Sequence, residues 1–188
     1  RSNHTDPDAL LGQEMGHVYA CDFSANAVAL LRAHREFDGA HTTAFVHDIT
    51  SDAEPDVLQH LHGRVDALLA VFVLSALDPA ALPGVFSRLG RLLRPGTGRL
   101  LLRDYAAHDM TQLRFRPERM VRRGLYVRGD GTAVHYFGED EVRGLAAGAG
   151  LRVARMALDR RVIVNRSRRI TMRRCWLQAE LVREEDGR

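Results

Sequence analysis

Apolar and polar positions along the 188 residues switch repeatedly between a strand-like and a helix-like spacing. HVYACDFS is a short β-like run that closes on Asp22. From Ala25 to Phe37 the apolar residues fall at helical spacing, and Ser24 is placed to cap that helix. TTAFVHDI predicts the next strand, ending at Asp48, and DVLQHLH a turn or short helix. The run from Val65 to Val73 predicts a buried strand that leads into a loop. AALPGVFSRLGRLLRPG predicts an amphipathic helix with Leu89, Leu92 and Leu93 on one side, stopped at Pro95–Gly96. GRLLLRDY follows as a strand. This β-α alternation predicts a parallel, doubly wound sheet.

The second half has a different pattern. LYVRGDGTAVHYF carries an Asp130–Gly131 turn between alternating segments, the signature of a hairpin. GEDEVRGLAAGAG predicts a helix that Glu139 or Asp140 helps to start and Gly150 ends. RVARMALDRRVIVN and TMRRCWLQAELV predict two closing strands.

Composition adds limits. The chain is 45% apolar, ordinary for a folded domain, and long enough for one domain with its own core. It has no apolar run of about eighteen residues, so no membrane span is expected. Cys21 and Cys175 form no CxxC pair, and the spacing of His60 and His62 is that of a solvated helix end, so no metal site is expected. The formal net charge is +3, and every one of the 27 basic side chains is Arg. Six Arg lie between Arg114 and Arg128 with Glu118 among them, and nine between Arg152 and Arg174 with Asp159. A planar guanidinium suits phosphates and stacks on bases. A solvated basic face has the same composition.

Ligands of open α/β sheets sit at the carboxyl ends of the strands, where Asp22 and Asp48 stand. One carboxylate there can accept from two ribose hydroxyls and another from an adenine amino group, although Asp also caps helices. A dinucleotide would need G-x-G-x-x-G before the ribose acid, and only Gly12 and Gly16 precede Asp22.

YACDFSANAVALL, FVHDIT, VFVLSAL, LLLRDYAAHDMTQLRF and YVRGDGTAVHYF resemble the eukaryotic methyltransferase-like family that makes 3-methylcytidine in tRNA anticodon loops. DRRVIVNRSRRITMRRCWLQAE looks like the closing strand pair of that family, so the resemblance runs from about Val18 to Glu180. It implies a class I S-adenosylmethionine-dependent methyltransferase fold, a Rossmann-like α/β sheet that is N-terminally incomplete. Residues 1–17 do not conform, 18–182 form the domain without its first strand, and 183–188 are a polar tail. The family's GCGxGN loop is missing, and the chain opens on Arg rather than Met. A partial sequence or truncated gene model is expected, with open sheet edges where the first strand belongs.

By motif, the resemblance makes Asp22 the ribose-binding acid and Phe23 its neighbour, Asp48 and Ile49 the adenine pair, and Val71 a residue lining the methionine side. It places Arg103, Asp104 and Tyr105 in the substrate-facing motif. Asp104 is the candidate for stabilising the cationic product base, with a helix cap or a salt bridge to Arg103 or Arg114 as the competing reading. Tyr105 is the candidate for stacking on the base, or else a core residue. Arg114, Arg116, Arg122, Arg123, Arg128, Arg166, Arg168 and Arg169 are candidates for the RNA backbone. S-adenosylmethionine is the expected cofactor and tRNA the expected partner, with an accessory protein or an aminoacyl-tRNA synthetase as a further one. The cytoplasm is the expected location, with the mitochondrion as alternative. A noncatalytic RNA-binding subunit and a small-molecule methyltransferase are the competing functions.

Overall fold

A computed structural model describes residues 16–167 and 170–185. They form two compact units, divided after Ser51.

The first unit pairs β1 (Val18–Asp22) with β2 (Thr42–Val46) in parallel, joined by helix α1 (Ala25–Arg32). Ser24 caps α1, its hydroxyl accepting from the Ala27 amide at 3.2 Å. The helix stops at Arg32 rather than Phe37. Beyond it Asp38 organises turns instead, accepting from the Ala40 amide (2.9 Å) and the His41 ring (2.6 Å).

The second unit begins with helix α2 (Asp56–Gln59) and is built on a four-stranded sheet. β3 (Ala67–Val71) runs parallel to β4 (Arg99–Tyr105), and helix α3 (Leu82–Leu92) connects them. β9 (Ile170–Arg183) lies antiparallel to β4 on one side and to β8 (Leu151–Asn165) on the other. Leu82, Val85, Phe86, Leu89 and Leu92 turn one face of α3 inward. The sheet alternates with period two, so Leu100, Leu102 and Asp104 of β4 and Cys175, Leu177, Ala179 and Leu181 of β9 are buried. Arg103, Tyr105, Trp176 and Gln178 fall on the opposite face.

Between β4 and β8 lie the short helix α4 (Met110–Leu113), a meander and helix α5 (Glu139–Gly148). The hairpin expected around Asp130–Gly131 is β6 (Leu125–Val127) with β7 (Ala133–His135), and Gly131 supplies the turn with φ +85°. A third strand, β5 (Met120–Arg122), pairs with β6 and has no counterpart in the sequence reading. Glu139 and Asp140 stand in the first turn of α5 as expected, where carboxylates favour a helix start. Glu141 adds the cap bond, its Oε2 accepting from the Gly138 amide at 3.3 Å while Oε1 lies 2.7 Å from His135 Nε2.

Two expectations change. The parallel strands are in two sheets: among the described residues β1 pairs only with β2, and β3 only with β4. β3 is also not a fully buried strand. Leu69 is 69% exposed and Val71 47%, because one edge and one face of β3 lack cover among the described residues.

The bend that feeds β4 has no room for a side chain. The Gly98 amide donates to the Arg94 carbonyl at 2.7 Å. A Cβ on Gly98 would meet the Arg94 amide and lie 2.7 Å from that carbonyl oxygen. Gly98→Ala is expected to cost about 2–3 kcal/mol, read as a lower urea midpoint at unchanged slope.

Candidate nucleotide-binding edge

In the first unit, the neighbouring parallel strands bring the two expected acids to one edge. The Asp22 carbonyl accepts from the His47 amide at 3.0 Å, one residue before Asp48. Asp22 is exposed at the strand end, with Oδ1 accepting from the Ser24 amide at 2.8 Å. Its Oδ2 has no partner among the described residues, which suits a diol. Asp48 Oδ1 accepts from the Thr50 amide and hydroxyl at 2.8 and 2.7 Å. Phe23 is 77% exposed beside Asp22, and Ile49 is half-buried beside Asp48. An exposed acid and an exposed ring at a strand end fit the ribose and base of an adenosine cofactor.

In the second unit, the carboxyl ends of β3 and β4 carry an aromatic and arginine cluster. Val71 is in register with Arg103 and lines an open hollow of about 560 Å³ with Leu69, Leu101 and Gln178. The chain then turns sharply: Phe72 adopts φ +56°, with its amide donating to the Arg103 carbonyl at 2.8 Å. A bulky residue in this region is costly, and such strain gathers at functional sites. The Phe72 ring lies 5.1 Å from Tyr105 and 6.3 Å from Trp176. Trp176 is there because β9 pairs it with Tyr105. The segment after β7 is tied to the end of β4, with the Phe137 amide donating to the Tyr105 carbonyl at 2.9 Å. That tie brings Tyr136 to 5.8 Å from Tyr105, and Arg128 also stands 5.8 Å from the Tyr105 ring.

The three residues of the RDY motif have different surroundings. Tyr105 is half-buried at the centre of the cluster. Arg103 lies 4.9 Å over Trp176, and its Nη2 donates to Asp159 at 2.9 Å, so it is not the salt-bridge partner of Asp104. Asp104 corrects the expectation of a carboxylate facing the base. Its side chain is 0% exposed, with Oδ2 accepting from the Ser75 amide (2.9 Å) and Oδ1 from the Tyr105 amide (2.8 Å). Its place on the inward phase of β4 is the reason. Burial pushes its pKa up, against hydrogen bonds from Ser75, Tyr105 and Leu74.

A second buried acid, Asp109, escaped the sequence reading. It accepts from the Thr111 amide (2.8 Å) and hydroxyl, the Cys175 amide (2.7 Å) and Arg174 Nε (2.9 Å). Burial alone would raise its pKa, but these donors outweigh it and hold the carboxyl below its usual value. The Thr111 hydroxyl shares a hydrogen bond with the Tyr136 hydroxyl at 2.8 Å. Phe72, Asp109, Tyr136, Arg174 and Trp176 were all missed. For Trp176 the signal was available: RRCWLQAELV alternates, and a strand laid against RLLLRDY puts one of its aromatics beside Tyr105.

The expected RNA contacts divide. Arg128 joins the cluster; Arg114, Arg116 and Arg123 are exposed on the segment between α4 and β6. Arg122 is spent on an ion pair with Asp78. Arg166 is exposed at the β8–β9 turn, six residues along β9 from the level of Trp176, or roughly 20 Å. Arg168 and Arg169 lie outside the described residues. His60 and His62 bond to the Asp56 carbonyl and to Glu54, at 2.6 and 2.8 Å.

The fold is that of a class I S-adenosylmethionine-dependent methyltransferase domain. A methyltransferase-domain family model matches residues 8–96. A solved S-adenosylmethionine-dependent methyltransferase from Methanosarcina mazei shares the fold, with a TM-score of 0.65 at 15% identity, covering 95% of this chain and 87% of that one. Closer in sequence is the tRNA N(3)-cytidine methyltransferase METTL2 of Xenopus tropicalis, 41% identical over 184 residues, which are 98% of this chain and 52% of that protein. The METTL2 of Danio rerio is 45% identical over 164 residues, 87% of this chain and 45% of that protein. The chain is similar over most of its length to these tRNA N(3)-cytidine methyltransferases. It spans about half the length of the curated relatives it matches.

Proposed function

We propose that this protein transfers a methyl group from S-adenosylmethionine to N3 of cytidine in a tRNA anticodon loop. The observation that carries this reading is the cluster of Phe72, Tyr105 and Trp176 with Arg103, Arg128 and Arg174 at the carboxyl edge of β4. Unpaired bases of RNA loops are held by stacking on aromatic rings and guanidinium planes, with cations on the phosphates. A site for a small apolar molecule would have little use for so many arginines. The names of the relatives support the same substrate.

Asp22, Phe23, Asp48 and Ile49 of the first unit would hold the cofactor, which supplies a methyl group on a sulfonium. The N3 lone pair of neutral cytosine forms the new C–N bond as the C–S bond breaks, so no strong general base is needed. What the chain must supply is placement: Tyr105 and its ring neighbours fix the base plane, and held geometry lowers the barrier. The rings also favour the cationic product over the neutral base. Two of the nearby guanidiniums are paired with Asp159 and Asp109, which limits their repulsion of that product.

The test is to incubate the complete gene product with S-adenosylmethionine and a tRNA anticodon stem-loop, then digest and look for 3-methylcytidine. Cofactor-dependent formation is expected. RNA binding without any methylated base would favour a noncatalytic subunit. Asp22→Asn should raise the cofactor concentration needed by about tenfold, the size of a lost charged hydrogen-bond acceptor, with little change in tRNA affinity. An unchanged cofactor requirement would remove Asp22 from that site.

A further inference from the structure

Arg174 stands on β9 two residues before Trp176, and its side chain is 16% exposed. It is fixed from two directions. Nε donates to both oxygens of Asp109, at 2.9 and 3.3 Å, and Asp109 itself is fully buried and tied to backbone by the Cys175 and Thr111 amides. The guanidinium carbon lies 5.7 Å from the Tyr105 ring centroid and 5.3 Å from that of Trp176. Only Nε is engaged; the two terminal nitrogens have no hydrogen-bond partner among the described residues. Its neighbours differ. Arg103 spends Nη2 on Asp159, and Arg161, opposite Arg174 in the ladder, is bonded to the same acid and is 61% exposed.

We infer that Arg174 is a phosphate grip, held by the positioning residue Asp109, for the nucleotide whose base enters at Tyr105 and Trp176. This rests on the RNA substrate proposed above. An immobilised guanidinium with its terminal N–H groups unspent is matched by a partner with paired anionic oxygens, such as a phosphodiester. The anchoring through Nε leaves that fork free. It also sits beside the stacking rings, so one short segment of β9 supplies both a ring for the base and a cation for its phosphate. The cofactor carboxylate is an anion of similar geometry, and the experiment separates the two sources.

The test is equilibrium binding of a tRNA anticodon stem-loop to the complete gene product across a salt series, with S-adenosylhomocysteine binding measured in parallel. Arg174→Gln should weaken RNA binding about tenfold and reduce the slope of log affinity against log salt by about 0.7–0.9, the release of one counterion. Arg174→Lys keeps the charge and loses the fork, so it should restore the slope but only part of the affinity. Asp109→Asn frees the guanidinium without removing it, so affinity should fall with the slope retained. Cofactor affinity should not change in any of them. Should Asp109→Asn fail to fold, the two Arg174 variants decide. Unchanged RNA affinity and slope in Arg174→Gln would overturn the inference while leaving the RNA substrate intact. Weakening confined to S-adenosylhomocysteine would overturn it too, and give Arg174 to the cofactor. No RNA binding by the wild type would instead overturn the substrate reading itself.

Discussion

Asp104→Ala is expected to destabilise the second unit by about 3 kcal/mol or more, a fall of roughly 10 °C in melting temperature. The carboxylate is fully buried, and the amides of Ser75 and Tyr105 donate to it at 2.9 and 2.8 Å. Alanine leaves these donors in the interior with no acceptor, which costs more than the bonds contribute when made. Asp104→Asn keeps the shape and one acceptor, so the cost at neutral pH should be smaller. The pH dependence separates the two forms of the acid. Burial raises the folded pKa of Asp104 above the usual 3.8, so the stability it contributes is fully present below 3.8 and is lost as pH rises through the folded value. The gap in melting temperature between wild type and Asp104→Asn should therefore be widest in acid and narrow toward neutrality. Turnover supplies the complementary readout. A group that only shapes the β3 and β4 ends leaves methylation by Asp104→Asn near the wild-type rate. A drop of a hundredfold or more without a change in melting would return this carboxylate to the chemistry.

Asp104 also shows where sequence reasoning runs out. The order of strands and helices was legible because each element carries its own spacing and stop signal: Ser24 before α1, the apolar face of α3, the turn at Asp130–Gly131 and the end of α5 before Gly150. These signals are local. In RLLLRDY, however, three successive leucines hide the phase of the alternation. Only the observed burial of Leu100 and Leu102 says that Asp104 turns inward while Arg103 and Tyr105 turn out. The missed site residues depend on pairings across long stretches of chain. Trp176 reaches Tyr105 through the register of β9, and Asp109 meets Arg174 across 65 residues. Counting arginines was a poor guide for the same reason, since Arg103 and Arg122 have partners, Asp159 and Asp78, that sequence does not place beside them. That Asp22 and Asp48 would stand near neighbouring strand ends was legible because a strand end can be read from sequence alone.

Tyr105→Ala should give the largest loss of methylation among changes to the cluster. Tyr105 is the ring around which the others are arranged: Phe72 at 5.1 Å, Tyr136 at 5.8 Å, and the guanidiniums of Arg128 and Arg174 at 5.8 and 5.7 Å. Stacking of a base on one such ring is commonly worth about 1–3 kcal/mol, or roughly 5- to 150-fold. How that loss divides depends on when the contact matters. If the ring only gathers RNA, the whole loss appears in tRNA affinity, and turnover at saturating tRNA is untouched. If it fixes the plane of the reacting base, single-turnover methylation at saturating tRNA falls as well, because a misplaced N3 lone pair no longer lines up with the methyl group. The second outcome is expected, since Tyr105 ends the strand next to the turn that holds the strained Phe72. Tyr105→Phe keeps the ring and should stay within about threefold of wild type, as no hydrogen bond to the Tyr105 hydroxyl is present among the described residues. Tyr105 is half-buried, so the melting temperature of Tyr105→Ala must be followed alongside. Normal single-turnover methylation by a folded Tyr105→Ala would remove the stacking platform from the mechanism. Equal losses in the Ala and Phe variants would shift the role from the ring to the hydroxyl.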